Sequence, residues 1–524
     1  MDDRPIPTSE SKPIDIDLEK GLQTVVAPES ISTSSVSSPA DVRKVVLPKT
    51  FVKWNERIES LAGLEARGIT RVLPSERHES SLLTDLQMAF LWFSANLTAN
   101  NLAVGFLGPL LFDLGFVDSA MCAVFGGLVG SLMTSYMGIW GAQSGNRTLV
   151  VARFFMGYWP SKICVILNIV LMVGYCMIDC VIGGQILSAV SGGSMSIVVG
   201  IIIVAIISWV IAVFGMSIFH QYERFAWIPQ LMVILILFGS AGPKFDTTTA
   251  SVGNMATING NRLSFFALSL SVPVSWAGAA SDFYVYYPET TSKRKAFLLT
   301  LTGLTLSFTI VNLMGVGLAS GVANDPSWSA AYDISSGALI LAGYDGLAGF
   351  GKFCGVIVAL GVIANNIPGT YSAALGFQML GRYPKAVPRY MWTCVVVIIY
   401  FVCAIVGRNH LFIIFQNFLA LMGYWVTIFI CIVLEEHLLF TGRRGFDWTA
   451  WEDKSKLPIG WAALAAFLIG WAGCVISMDQ VYFVGPIAKL VGDFGADLGI
   501  WVGCGFTLVT YFPMRYIELK VVGR

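Results

Sequence analysis

Ser94-Ala95-Asn96-Leu97-Thr98-Ala99-Asn100-Asn101 is a polar stretch in the middle of an otherwise apolar segment. That segment, residues 85–112, is long enough to cross a bilayer as a helix, which takes roughly 20 apolar residues. Amides at that depth have no lipid or water partner, so the helix is expected to break at Asn96 and face protein or a cavity there. A second flawed segment, residues 263–286, carries Pro273 and Gly278 in Val272-Pro273-Val274-Ser275-Trp276-Ala277-Gly278. The other apolar spans are 118–140, 162–190, 195–216, 221–242, 296–320, 346–376, 389–407, 410–436, 458–478 and 484–513. The flawed segments are therefore the first and sixth of twelve, in corresponding places of two halves of five. Paired interrupted helices of this kind mark a secondary transporter and point to its binding site. Breaks are expected at Asn96, Pro273 and Gly278, and a further one at Pro368 in the eighth segment.

Composition agrees. The chain has 524 residues, 55% hydrophobic and 13% charged, which belongs to a polytopic all-α membrane protein whose partner is the lipid bilayer. Its formal net charge is zero, which gives no electrostatic footprint for nucleic acid. The ten cysteines form no CxxC pair and read as small buried hydrophobes. There is no phosphate-binding loop, GxSxG, HExxH or metal-spaced Cys/His cluster, so neither an enzyme, a metal site nor a bound cofactor is expected.

Residues 1–84 read as a disordered cytoplasmic tail, whose Ser-rich Ser30–Pro39 stretch suits phosphorylation and turnover machinery. The transporter domain is expected over 85–513 and a short cytoplasmic C-terminal tail over 514–524. With both termini inside, roughly 28 of the 33 Lys and Arg fall on the cytoplasmic side. Lys244, Arg262, Lys352, Arg408 and Lys489 fall outside.

Asp179 lies mid-way along the third segment, one helical turn from Tyr175, so the two share a face. An aromatic plane beside a carboxylate suits a planar, nitrogen-rich ligand that stacks and donates N–H groups. Trp276 stands at the sixth-segment break. Asn365 and Asn366 precede Pro368, and their amides can read the edge of a base or satisfy backbone freed by the proline. Asp282 is a second carboxyl that could titrate during transport, although anchoring at the interface is the preferred reading. Glu435, Glu436 and His437 end the tenth segment and read as solvated.

Several motifs together resemble the fungal purine-cytosine permeases of the nucleobase-cation-symport-1 family. They are Gly141-Ala142-Gln143-Ser144-Gly145-Asn146-Arg147, Asp282-Phe283-Tyr284-Val285-Tyr286-Tyr287-Pro288 and Ala364-Asn365-Asn366-Ile367-Pro368. The resemblance implies a LeuT-like fold, two inverted repeats of five helices plus two C-terminal helices. It also implies proton-coupled import of purine nucleobases or cytosine across the plasma membrane. Carried over residue by residue, it implies a ring sandwiched between Tyr175 and Trp276, with Ser94, Asp179, Asn365 and Asn366 as polar contacts. The chain departs from the pattern at Tyr175, usually Trp, at Asp179, usually an amide, and at Gly369, often Asn. An ionised Asp only accepts, which favours a ligand rich in donors or protonated on a ring nitrogen, and makes Asp179 a coupling candidate alongside Asp282. The alternatives are a relative devoted to another planar heterocycle such as vitamin B6, and a non-transporting nutrient sensor on the same fold.

Overall fold

The computed structural model describes residue 53 and residues 68–79, 81–214, 216–441 and 445–524, with the side chains of 214–224 left undescribed. The Ser30–Pro39 stretch and most of the expected tail lie outside the described residues.

The first segment is two helices, α1 (Leu82–Ser94) and α2 (Ala99–Leu111). Ser81 caps α1 by accepting from Thr84 N, and four non-helical residues then separate the halves. The second segment is α3 (Phe116–Gly138), extended by α4 (Trp140–Ser144). A short α5 (Thr148–Met156) leads into the third, α6 (Ser161–Val190). The first half closes with α7 (Ile197–Phe214) and α8 (Met216–Ala241).

The second half opens with α9 (Met255–Ser275), which narrows into the 3-10 turns Trp276–Gly278 and Ala280–Tyr284. Pro273 sits in the last turn of α9, so the break falls just after it. There follow α10 (Lys293–Gly321), short helices α11 (Pro326–Ile334) and α12 (Ser336–Ala342), then α13 (Ala348–Met379). Next come α14 (Arg382–Ala386), α15 (Arg389–Gly407) and α16 (Leu411–Glu435). The last two segments are α17 (Trp461–Ser477) and α18 (Gly499–Val522), joined through a hairpin of β1 (Asp479–Gln480) and β2 (Phe483–Val484).

Among the described residues, seven helices are long and apolar enough to cross a membrane, and three shorter apolar ones (α2, α7 and α17) stand beside them. With the interrupted sixth segment and α18 beside them, the described helices are consistent with the twelve expected segments. Packing is tight where the broken segment meets its neighbour. A Cβ at Gly105 would strike Asn312 O of α10, and one at Gly315 would overlap Leu102 O of α2. Only glycine permits that backbone approach, the usual device for close helix packing in membranes.

Three expectations need correction. The eighth segment does not break at Pro368: α13 runs unbroken from Ala348 to Met379. A proline removes one N–H, and a buried helix can carry that loss when its neighbours hold it in place. The twelfth segment does not start at 484. Residues 485–498 turn repeatedly, with Gly492 and Gly495 at φ of 63° and 102°, and helix resumes only at Gly499. The residues expected as a short C-terminal tail, 514–524, continue α18 as far as Val522. Arg515 there is buried and pairs with Glu436, so Glu436 is not solvated as expected but 3% exposed.

Candidate functional site

A closed cavity lies between the broken segments. Its wall comes from α6 (Met172, Tyr175, Cys176, Asp179), α2 (Asn100, Asn101), the end of the sixth segment (Ser275, Trp276) and α13 (Asn365, Gly369). Met172, Tyr175, Cys176 and Asp179 are spaced i, i+3, i+4, i+7, the period that places side chains on one helix face. The polar centre of the first segment and the break in the sixth thus converge on the Tyr175–Asp179 face.

The free volume is about 20 Å³, room for one water-sized molecule. For comparison, an apolar cavity of about 150 Å³ holds one benzene. A ring therefore enters only after these walls part. Phe418 of α16 packs edge-on against Tyr175, with ring centroids 5.7 Å apart. Trp276 meets Trp92 edge-on at 5.9 Å, and Phe283 closes against Trp92 at 4.6 Å.

Asp179 is the exceptional group. It is fully buried, and among the described residues neither carboxyl oxygen has a hydrogen-bond partner. The hydroxyl of Tyr175 has none either. An unmet carboxylate in a membrane interior is costly and marks function far more often than packing.

The other named residues divide. Trp276 and Asn365 line the cavity. Asn365, however, already uses both ends of its amide, donating to Ala95 O at 2.6 Å and accepting from Asn100 Nδ2 at 3.4 Å. Asn366 points away from the cavity, donating to Ser208 Oγ at 3.2 Å. Its backbone carbonyl accepts Thr370 Oγ1 at 2.9 Å. Ser94 is buried outside the lining. Asp282 also stands apart: its Oδ1 accepts Thr148 N at 2.7 Å and Thr148 Oγ1 at 3.0 Å, locking α5 to the sixth segment. Next to it Arg147 reaches Asp282 O and the Tyr371 hydroxyl.

Asn100 and Asn101 are lining residues that the sequence showed only as unexplained polarity. Asn168, two turns before Tyr175 on α6, lies outside this lining and packs against the sixth-segment break, where a Cβ at Gly278 would overlap its Oδ1.

A family model described as "Permease for cytosine/purines, uracil, thiamine, allantoin" matches residues 73–503. The chain belongs to this permease family. The permease is 34% identical to the vitamin B6 transporter TPN1 of Saccharomyces cerevisiae, over 93% of each chain. It is 33% identical to the purine-cytosine permease fcyB of Emericella nidulans, over 97% of this chain and 99% of that one. Its fold matches Mhp1, a nucleobase-cation-symport-1 family transporter solved closed with bromovinylhydantoin bound. The TM-score is 0.62 at 14% identity, covering 87% of this chain and 96% of Mhp1. A Na+-coupled sialic acid symporter in a substrate-bound outward-open state shares the fold at a TM-score of 0.56 and 9% identity, covering 82% of this chain and 90% of that one. The permease is thus a polytopic membrane transporter and not an enzyme.

Proposed function

We propose that this permease imports a planar nitrogen heterocycle that presents an N–H donor from its ring, and that a vitamin B6-type 3-hydroxypyridine fits best. The observation that carries this reading is Asp179, a buried carboxyl without a partner in the cavity wall beside Tyr175 and Trp276. An ionised carboxylate only accepts, so it suits a protonated pyridine nitrogen better than a purine edge that must be both donated to and accepted from. The ring stacks between Tyr175 and Trp276 once Phe418 withdraws. Similarity to TPN1 supports the pyridine reading. Similarity to fcyB keeps cytosine and the purines as the second reading, because cytosine and adenine also offer amino donors.

Asp179 is the carrier of the coupled proton: it takes up a proton in one half of the cycle and returns it in the other. Asp282 is left to structure. The site faces the two sides of the plasma membrane in turn, with both termini cytoplasmic, as the Lys and Arg distribution supports.

The test is uptake of labelled pyridoxine, cytosine, adenine and hypoxanthine in cells lacking their own permeases for these compounds. It is run at acidic and alkaline pH, with and without a protonophore. Saturable pyridoxine uptake that collapses with protonophore is the expected result. Cytosine or purine uptake without pyridoxine uptake overturns the substrate choice. Protein at the surface that moves none of them, while pyridoxine triggers a cellular response, favours a sensor.

A further inference from the structure

Three cations gather where α5 turns into α6. Lys162 Nζ lies 4.3 Å from the centre of the Trp159 ring and 5.5 Å from that of Tyr158. Lys454, from the link between α16 and α17, places its Nζ over the same two rings, at 4.8 and 4.7 Å. The Arg153 guanidinium also stands over Tyr158, at 5.1 Å. An exposed cation–ring contact is worth only about 0.5–1 kcal/mol, and like charges held this near one another repel.

The backbone beneath both lysines is fixed. Gly157 and Gly460 have φ of 83° and 84°, and their turns interlock: a Cβ at Gly157 would strike Ile459 O, and one at Gly460 would overlap Met156 O. Arg153 Nη1 donates to Trp451 O at 3.0 Å, and Arg524 Nη1 donates to Lys454 O at 3.2 Å.

No carboxylate answers this charge. Among the described residues, none of the three cations forms an ion pair. The acidic side chains of the same link are engaged elsewhere. Glu452 pairs with Lys385 at 2.5 Å, and Asp453 accepts from Ser455 N and Oγ at 2.9 and 2.6 Å. Asp447 accepts from Thr449 N at 3.1 Å. The surroundings are apolar as well as basic. Trp159 is 62% exposed, and Ile459 and Trp461 on the facing turn are exposed too. Exposed aromatic rings at the end of a spanning helix mark the membrane–water interface.

We propose that Lys162 and Lys454, backed by Arg153, bind the headgroup of an anionic phospholipid. The phosphate meets the two ammonium groups, and the acyl chains run along the apolar rim beside Trp159. A soluble anion would use the lysines but not that rim. The Lys and Arg distribution reads this end as cytoplasmic, where the leaflet carries negative lipids. The bound lipid ties the α5–α6 turn to the α16–α17 link. The inference goes beyond the proposed function and does not rest on it, because its test needs no transported substrate.

The test is thermal unfolding of the purified full chain in nonionic micelles doped with phosphatidylcholine or with phosphatidylserine. A ligand that binds only the folded state raises the midpoint. Phosphatidylserine is expected to raise the parent midpoint by several degrees over phosphatidylcholine. Lys162→Gln combined with Lys454→Gln is expected to lose at least half of that difference. The control is Arg382→Gln combined with Lys520→Gln, which removes two exposed cations that each stand over a single tyrosine ring. It is expected to keep the full difference. Reading each protein against itself in the two lipids cancels any effect of the substitutions on folding. Soluble glycerophosphoserine is expected to give no shift. No phosphatidylserine effect on the parent, an equal loss in the control, an undiminished difference in the Lys162 and Lys454 double variant, or an equal shift with glycerophosphoserine overturns the proposal.

Discussion

Two buried carboxyls define opposite roles in this protein. Glu436, just past the end of α16, accepts Arg515 Nε and Nη2 at 2.9 Å each and the Tyr511 hydroxyl at 2.8 Å. Arg515 goes on to Glu518, which in turn caps the N-terminus of α17 by accepting from Gly460 N and Trp461 N. Asp179 on α6 is as deeply buried and has none of this. The chain satisfies a buried carboxyl where it serves as a joint, and leaving Asp179 unmet supports the proposal that it meets something that comes and goes. Asp282, with its two bonds from Thr148, belongs with Glu436.

The contrast can be broken at four points. The largest effect is expected from Arg515→Met, which strands Glu436 in an apolar setting. Breaking a buried pair on one side costs about 3–5 kcal/mol, read as a lowered unfolding midpoint of the purified protein. An unchanged midpoint would remove the structural half of the comparison. Asp179→Asn is expected to do the reverse: uptake falls about a hundredfold, roughly 2.7 kcal/mol, while the unfolding midpoint holds or rises, because no partner is lost. A destabilised Asp179→Asn protein would show that the carboxyl has a structural partner after all. Thr148→Val removes one of the two bonds to Asp282 and is expected to cost about 1.5–3 kcal/mol of stability, with uptake falling only in proportion to the protein surviving at the surface. Tyr175→Phe deletes a hydroxyl without a partner, so stability should stay within about 0.5 kcal/mol, and any change in uptake isolates a contact to substrate.

The smallest expected effect lies outside the spanning segments. Hydrogen bonds from Thr249 and Thr248 hold the Asp246 carboxyl below the usual carboxylate range, and Lys244 and Ser327 do the same for Asp325. A lowered folded-state value means the ordering is present above the unfolded carboxylate pKa and is lost only as pH falls through the lower folded one. Hydrogen-exchange protection of residues 243–249 and 324–328, corrected for intrinsic rate, should therefore not change between about pH 7 and about pH 5.

Much of this was legible from residue order. Periodicity and length gave the segment count, and polar residues at mid-membrane gave the first break. Spacing put Tyr175 and Asp179 on one face, whereas Trp276 was set opposite them only by the family resemblance. What escaped depends on which neighbour a side chain meets. Asn365 and Asn366 are adjacent and chemically identical, yet one turns to Ala95 and the other to Ser208, a difference set by the rotation of α13. Pro368 reads as a break by local rules, and packing overrides it. Glu436 reads as solvated until α18 brings Arg515 to it, a partner 79 positions away in the chain.

The cavity's small size has a kinetic meaning. A pocket shut to the volume of one water must be re-inflated at every turnover, so the affinity a substrate displays is its intrinsic affinity scaled by the fraction of molecules standing open. Trimming Phe418, which leans on Tyr175 without lining the cavity, enlarges that fraction. Binding would then tighten, although nothing the substrate touches has changed.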